Sequence, residues 1–460
     1  MAAESEPRTV HTEETSLQEE KGCPETSEIC QVTKDCPSNP HEFVEGGLTG
    51  WATAFGAFLV QFCGVGYTAS FGVYQDFYTQ HYLINETSSA ISWIGSTSAF
   101  LLLSVGLMSG SLHDRGYFYH LMITGSLLQS LSLFLLSLSK PNQYYQIFFS
   151  QGLGLGISFG LTCIPSMAVI PHHFRRRRTL VMTFIAIGAS LGAIIHPIML
   201  NNLLNGPLGF ANGVRVSAGL ISFFLLTACL CMRTRLDPPA TPVNYIVASR
   251  KCVRDVPFVL MMTAGFLFQI GFYYPLFFFQ LDSIKHGISV DFSFYSLVIL
   301  NGSNCLGRFT SGFIASFTGV PELMIMSSFS CGVLIFGMIG LSSLASVVVL
   351  GVVYGYVAGV CNALGTPLIA LLTPDLSELG ARMGICLFAL GGYYDYFNGT
   401  PICGALLTTN YIWWIPSVFS GIGSLAGTML FTIMRYKFLR KQRVQMDVLP
   451  LDNQAVEVEP

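Results

Sequence analysis

Three titratable side chains fall deep inside long apolar runs of this sequence: His196, Arg308 and Asp395. An ionisable group is costly in hydrocarbon, so each is a functional candidate by default. Arg308 shares a helical face with Asn301 and Asn304, because spacings of three, four and seven residues bring side chains to one side of a helix. A guanidinium beside two amides is suited to clamp a carboxylate through paired N–H donors. The competing reading is a structural contact between helices, or a side chain that snorkels toward water. Asp395 sits among Tyr393, Tyr394, Tyr396 and Asn398, a polar cluster that suits an aromatic or oxygenated solute. As the only acid well inside a predicted helix, Asp395 is the candidate proton-coupling carboxylate. Its bland alternative is a static hydrogen bond to Asn398 or a tyrosine. His196, beside Pro197, reads either as a proton carrier or substrate contact, or as a neutral packed histidine.

Other chemistries find no footing. Thirteen cysteines are scattered without a CxxC pair, and no histidines cluster at metal-ligand spacing, so the thiols read as small core residues. No P-loop is present, and no nucleophile and base are assembled. The sequence therefore implies no cofactor, no metal and no enzymatic reaction. The basic loops need no nucleic-acid partner, since membrane topology accounts for them.

The elements that must position the polar residues are membrane helices. Hydrophobic residues make up 52% of the chain and charged residues 11%, against roughly 25% charged in ordinary soluble domains. Apolar runs of about 18 residues or more read as spanning helices, and about twelve are found. They lie near 50–75, 88–111, 118–138, 144–169, 179–204, 213–232, 256–281, 291–315, 322–342, 344–372, 382–408 and 411–434. The expected fold is all-α, with twelve helices in two six-helix pseudo-symmetric bundles. Its parts are a disordered tail (1–44), a first bundle (45–232), a cytosolic linker (233–255), a second bundle (256–435) and a short tail (436–460). No apolar leader follows Met1, so the first spanning helix is expected to direct insertion.

Charge sets the orientation. Arg115, Arg175 to Arg178, Arg233, Arg235, Arg250, Lys251, Arg254, Arg382 and a C-terminal cluster fall on one side, while the opposite loops hold Lys140, Lys285 and Arg215. This positive-inside pattern predicts a multi-pass protein of the cell membrane with both termini cytosolic. The Arg175 to Arg178 quartet reads as a topology anchor. Asn85, in the sequon Asn85-Glu86-Thr87 of the first external loop, is the expected glycan acceptor; the sequons at Asn301 and Asn398 lie inside predicted helices.

The two halves echo each other. Gly152, Gly156 and Gly160 precede Pro165 in the fourth helix, and Gly351, Gly355 and Gly359 precede Pro367 in the tenth. Gly188 to Pro197 and Gly392 to Pro401 repeat the same nine-residue step. Such small-residue faces let backbones approach closely. They also mark bending segments beside a substrate path in two-repeat transporters.

Several motifs are shared with known transporters: Glu45-Gly46-Gly47 leading to Trp51, Gly72-Val73-Tyr74-Gln75-Asp76-Phe77-Tyr78, Ser92-Trp93-Ile94, Phe174 with Arg175 to Arg178, Gly188-Ala189-Ser190-Leu191-Gly192, Pro197-Ile198-Met199 and Gly307-Arg308. Over about 45–435 the chain resembles the monocarboxylate porter family of the major facilitator superfamily, in its fungal branch. The resemblance implies alternating access around a central cavity, without ATP hydrolysis. It places Gln61, Tyr67, Gln269, Tyr273 and Tyr274 on cavity-lining helices; of these Tyr67, Gln269 and Tyr273, together with Tyr394 of the polar cluster, join Arg308, Asn301, Asn304 and His196 as the expected substrate contacts. Departures bear on mechanism. Ala69 stands where animal lactate carriers place a lysine, and Asn304 where they place an aspartate partner for the arginine. The superfamily loop motif is altered at Gly110-Ser111-Leu112-His113-Asp114-Arg115-Gly116, and its second copy has Ser316 in place of the acid.

The expected function is secondary active transport of a small organic acid or related metabolite, linked to protons, within the lipid bilayer. The alternative is efflux of a fungal secondary metabolite. A non-transporting nutrient sensor is a further class, against which the short tails argue.

Overall fold

Apolar chain withdrawn from water must satisfy its own backbone, and helices do so within one segment. The computed structural model describes residues 45–235, 245–391, 402–403, 406–407 and 412–448. Among these no strand forms, and ten helical runs are long and apolar enough to cross a membrane. The first, Gly47–Tyr82, is composite: α1 (Gly47–Cys63), α2 (Val65–Thr68), α3 (Phe71–Phe77) and a π-helical turn, Tyr78–Tyr82. It is followed by α4 (Ser88–Asp114), α5 (Phe118–Ser137), α6 (Tyr144–Ile147) running through a π-helical stretch into α7 (Leu155–Ala168), α8 (Arg178–Asn205) and α9 (Gly209–Cys231). The second half holds α10 (Tyr245–Arg254), α11 (Val256–Lys285), α12 (Val290–Thr318), α13 (Val320–Phe336), α14 (Leu344–Leu371), α15 (Leu379–Gly391) and α16 (Trp414–Val448).

Two of the twelve expected spans are not among the ten apolar runs. One is α12, a helix of 29 residues whose apolar character is lowered by Asn301, Asn304 and Arg308. The other, 382–408, is described only in part, and 392–401, with Tyr394 and Asp395, lies outside the described residues. So does the tail 1–44. Two helices exceed the sequence reading. The linker carries α10, and α16 continues to Val448, well past the expected end at 434. Arg435 to Val448 contains neither Gly nor Pro and is rich in Lys, Arg, Gln and Leu, which favour helix. Lys441 in this extension pairs with Asp255 at 3.0 Å. Asp255 also meets Arg382 at 3.2 Å, and Glu378 binds Lys251 of α10, so the ends of α10, α15 and α16 are tied together.

The opening motif has a local cause. Gly46 and Gly47 have φ of 67° and 66°, the left-handed region that glycine adopts without a Cβ penalty. That turn lets the Glu45 carboxylate accept the backbone N–H groups of Arg175 and Arg176, while Gly46 N donates to the His173 carbonyl at 2.8 Å. Trp51 packs edge-on against Phe174, ring centres 5.3 Å apart. The start of α1 is thereby stapled to the loop before α8.

The repeated glycines pack helices. A Cβ on Gly156 would meet the Ser98 backbone at 2.8 Å and one on Gly160 the Leu102 carbonyl at 2.9 Å, so α7 presses on α4. In the second half Gly355 faces the Leu300 carbonyl and Gly359 the Asn304 carbonyl, so α14 presses on α12 in the same manner. Gly188 and Gly192 seat α8 on the Phe58 and Phe62 carbonyls of α1.

Candidate functional site between the halves

Asn304 and Arg308 stand one turn apart on α12, and Ala186 and Ser190 stand one turn apart on α8. The two ladders meet. Arg308 Nη1 donates to the Ala186 carbonyl at 3.0 Å, and its Nε donates to Asn304 Oδ1 at 3.1 Å. Ser190 Oγ donates to the same Asn304 oxygen at 3.4 Å. Gly359 allows this approach from behind, since any Cβ there would strike the Asn304 carbonyl. Gly312, one turn beyond Arg308, lies against Leu180 and Thr183 of α8.

The electrostatics follow from the amide. An aspartate at 304 would neutralise the guanidinium, whereas Asn304 only accepts a hydrogen bond. Among the described residues no carboxylate pairs with Arg308, which is half-buried within the protein. Tyr273 of α11 lies within electrostatic reach of it. Arg308 therefore presents a positive charge and spare N–H donors at the seam between the halves, the chemistry that holds an anionic oxygen group.

The other expected contacts separate into distinct groups. Asn301 is half-buried, one turn before Asn304 on α12. Gln269 and Tyr273, on α11, are also half-buried, and Gln269 Oε1 has no hydrogen-bond partner. His196 is fully buried within the first half, its Nε2 3.2 Å from the Phe62 carbonyl and its ring 4.5 Å from Phe62 and 5.2 Å from Tyr67. Its Nδ1 has no hydrogen-bond partner. Tyr67 is also buried, sharing a 2.7 Å hydrogen bond with the Tyr74 hydroxyl. The structure thus brings His196 and Tyr67 together, and Arg308 and Asn304 together, as two separate groups. Gln61 serves packing, its amide donating to the Cys163 carbonyl at 3.2 Å and to Ser166 Oγ at 3.0 Å. Asn85 is exposed in the turn before α4.

One contact escaped the sequence reading although its motif was seen. Asp114, at the end of α4, accepts the backbone N–H groups of Gly380 and Ala381 at 2.9 and 2.7 Å. These begin α15, where unsatisfied donors and the helix dipole favour an anion. Gly110 and Gly380 are in backbone contact beside it, and His113 Nδ1 lies 3.3 Å from the Asp114 carboxylate. The halves are closed here at the basic-loop face. A backbone acceptor or donor leaves no sequence signature, so neither Ala186 nor Gly380 could be read as a partner.

A model of the Major Facilitator Superfamily matches residues 53–355. The chain belongs to that superfamily. As a superfamily member it is a transporter and not an enzyme, and its all-helical fold is that of the family. It is 33% identical over 365 residues to the aspyridones efflux protein apdF of Emericella nidulans, covering 79% of this chain and 73% of that protein. It is likewise 33% identical to the agnestins efflux protein AgnL12 of Paecilomyces divaricatus, covering 83% and 86%. Among solved structures, the E. coli fucose:proton symporter FucP superposes with a TM-score of 0.66 at 13% identity, covering 83% of this chain and 98% of that one. The human organic anion transporter MFSD10 superposes with a TM-score of 0.63 at 15% identity, covering 84% and 99%. At such identities these two speak for the fold alone.

Proposed function

We propose that this facilitator exports a small secondary metabolite bearing an anionic or acidic oxygen group, by alternating access across the cell membrane. The observation that carries the reading is Arg308, a guanidinium at the seam of the halves whose acceptors among the described residues are neutral. The relatives named as efflux proteins favour export of a metabolite over uptake of a simple organic acid, so the alternative drawn from sequence becomes the leading reading. The excess of Lys and Arg in the loops of one face supports a cytosolic location for that face, and an even number of crossings puts both termini there.

A mechanism follows from the geometry. Arg308 is held by the Ala186 carbonyl when the site is closed. An anionic group on the cargo is the stronger acceptor, since charge-assisted hydrogen bonds are about twice as strong as neutral ones. Capture of the cargo would release α8 from Arg308 while Asn304 keeps the guanidinium aligned. Asn301 and Tyr273 are then the polar contacts nearest the cargo. Opening toward the cytosol further requires Asp114 to leave the start of α15.

Salicylate and its uncharged amide, salicylamide, test the assignment in yeast cells loaded with either compound. Cells expressing the protein should lose salicylate faster than control cells, and salicylamide no faster. Arg308→Gln should remove the difference at equal surface abundance. Normal salicylate export by Arg308→Gln would take Arg308 out of the site.

A further inference from the structure

At the end of α11 farthest from the basic loops, the apolar sequence continues through Phe277, Phe278 and Phe279, and polar residues begin at Gln280 and Asp282 before the helix ends at Lys285. The sequence reading ended this span at 281, one residue short of Asp282. Polar residues at a helix end look like loop, yet Asp282 is 0% exposed inside the structure. Its Oδ1 lies 2.8 Å from His286 Nδ1, one turn on, while that nitrogen is hydrogen-bonded to the Asp282 backbone carbonyl at 3.0 Å, and neither carboxylate oxygen has a hydrogen-bond partner among the described residues. The His286 side chain is 32% exposed, so the pair runs from solvent to interior within one turn. Two turns inward on the same face stands Tyr274, whose hydroxyl receives Ser417 Oγ at 3.1 Å and lies within electrostatic reach of Asp282.

We infer that Asp282 and His286 form a proton-binding site open to the face opposite the basic loops. A carboxylate that is fully buried, with neither oxygen hydrogen-bonded and an imidazole beside it, has an unmet demand that a proton satisfies. His286 supplies the route, because a partly exposed imidazole exchanges protons with water and hands one to the adjacent Oδ1. The Nδ1–H bond of protonated His286 breaks as the O–H bond on Asp282 forms, and the neutral imidazole regains a proton from hydronium in the external water. Among the described residues the cation placed against the carboxylate is His286. Trp413, in the turn before α16, has its ring 6.2 Å from that of His286, and Ser417 of α16 donates to Tyr274; neither is charged. Cys403 lies within electrostatic reach of Tyr274, and Lys285 is exposed beside His286 on α11 itself. Desolvation lifts the Asp282 carboxyl above the usual carboxylate range, with His286 acting against the rise. Occupancy would therefore change across the pH range met at a cell surface.

The site deepens the proposed export, which it would couple to the proton gradient, and it rests on that reading only for its consequence. The full-length protein in liposomes is examined by pH-difference infrared spectroscopy, which sees a buried carboxylic acid directly and needs no cargo. A carboxylic acid band should grow as pH falls, beginning above the usual carboxylate range, and be missing in Asp282→Asn. In His286→Gln the band should remain but persist to higher pH, because the imidazole that opposes protonation is gone. Identical spectra for wild type and Asp282→Asn overturn the site. In a second arm, salicylate export by wild type should rise as external pH falls, and export by Asp282→Asn should not respond. A retained pH response in that variant overturns the coupling. If wild type moves no salicylate at all, the cargo reading falls, and the infrared arm alone decides the proton site.

Discussion

Replacing Asn304 by aspartate should disable cargo capture by satisfying Arg308 internally. The Nε to Oδ1 distance is 3.1 Å, so a full negative charge at that oxygen would interact with the guanidinium by about 5 kcal/mol at an effective dielectric of about 20. Desolvation of the new carboxylate offsets part of that sum. Even a residue of about 1.4 kcal/mol is tenfold in affinity, so the KM for salicylate export should rise at least about tenfold. The control is Asn304→Ser, which removes the amide but adds no charge and should leave more activity than Asn304→Asp. Both are compared in loaded cells across a range of internal salicylate, with surface abundance measured in parallel. A KM for Asn304→Asp within twofold of wild type would refute the reasoning, because it would mean that the charge of Arg308 is not what cargo meets.

Two further outcomes follow from the packing. Gly359→Val places side-chain carbon against the Asn304 carbonyl, and overpacking of that kind costs about 1–3 kcal/mol, so thermal unfolding of the purified protein should fall by several degrees; an unchanged Tm contradicts the close approach of α14 to α12. Asp114→Ala removes two charge-assisted hydrogen bonds to the start of α15, each worth about 1.5–3 kcal/mol, and should raise maleimide labelling of a cysteine placed at Ala381 by about tenfold or more, an unchanged rate showing that Asp114 does not hold this face closed.

The sequence revealed periodicity well and partners poorly. The face of Asn301, Asn304 and Arg308 follows from helical spacing, and the glycine ladders of α7 and α14 follow from the repeat, because both are properties of one helix. What Arg308 touches is a carbonyl on α8, and what Asp114 touches is a pair of N–H groups on α15. Those atoms belong to every residue and carry no signal. His196 and Tyr67 were both singled out, but not their mutual contact, since residues far apart along the chain meet only through the packing of α8 on α1. The end of α11 was misjudged for a different reason: hydropathy marks where lipid ends, whereas the helix continues wherever protein covers it, and Asp282 lies in that difference. Asp395 and Tyr394 remain sequence-based proposals, outside the described residues.

The neutral surroundings of Arg308 have an electrical consequence. With the site empty the guanidinium carries its full charge, and with a monoanion bound the net charge there is zero. When access switches from one face to the other, the membrane field sweeps across whatever charge the site holds. An elementary charge that crosses the whole potential exchanges about 2.3 kcal/mol per 100 mV. At Arg308 itself the empty return of the carrier therefore feels the voltage and the loaded passage does not, and any charge carried at Asp282 adds to this, so polarising the membrane acts on how fast the site is reset.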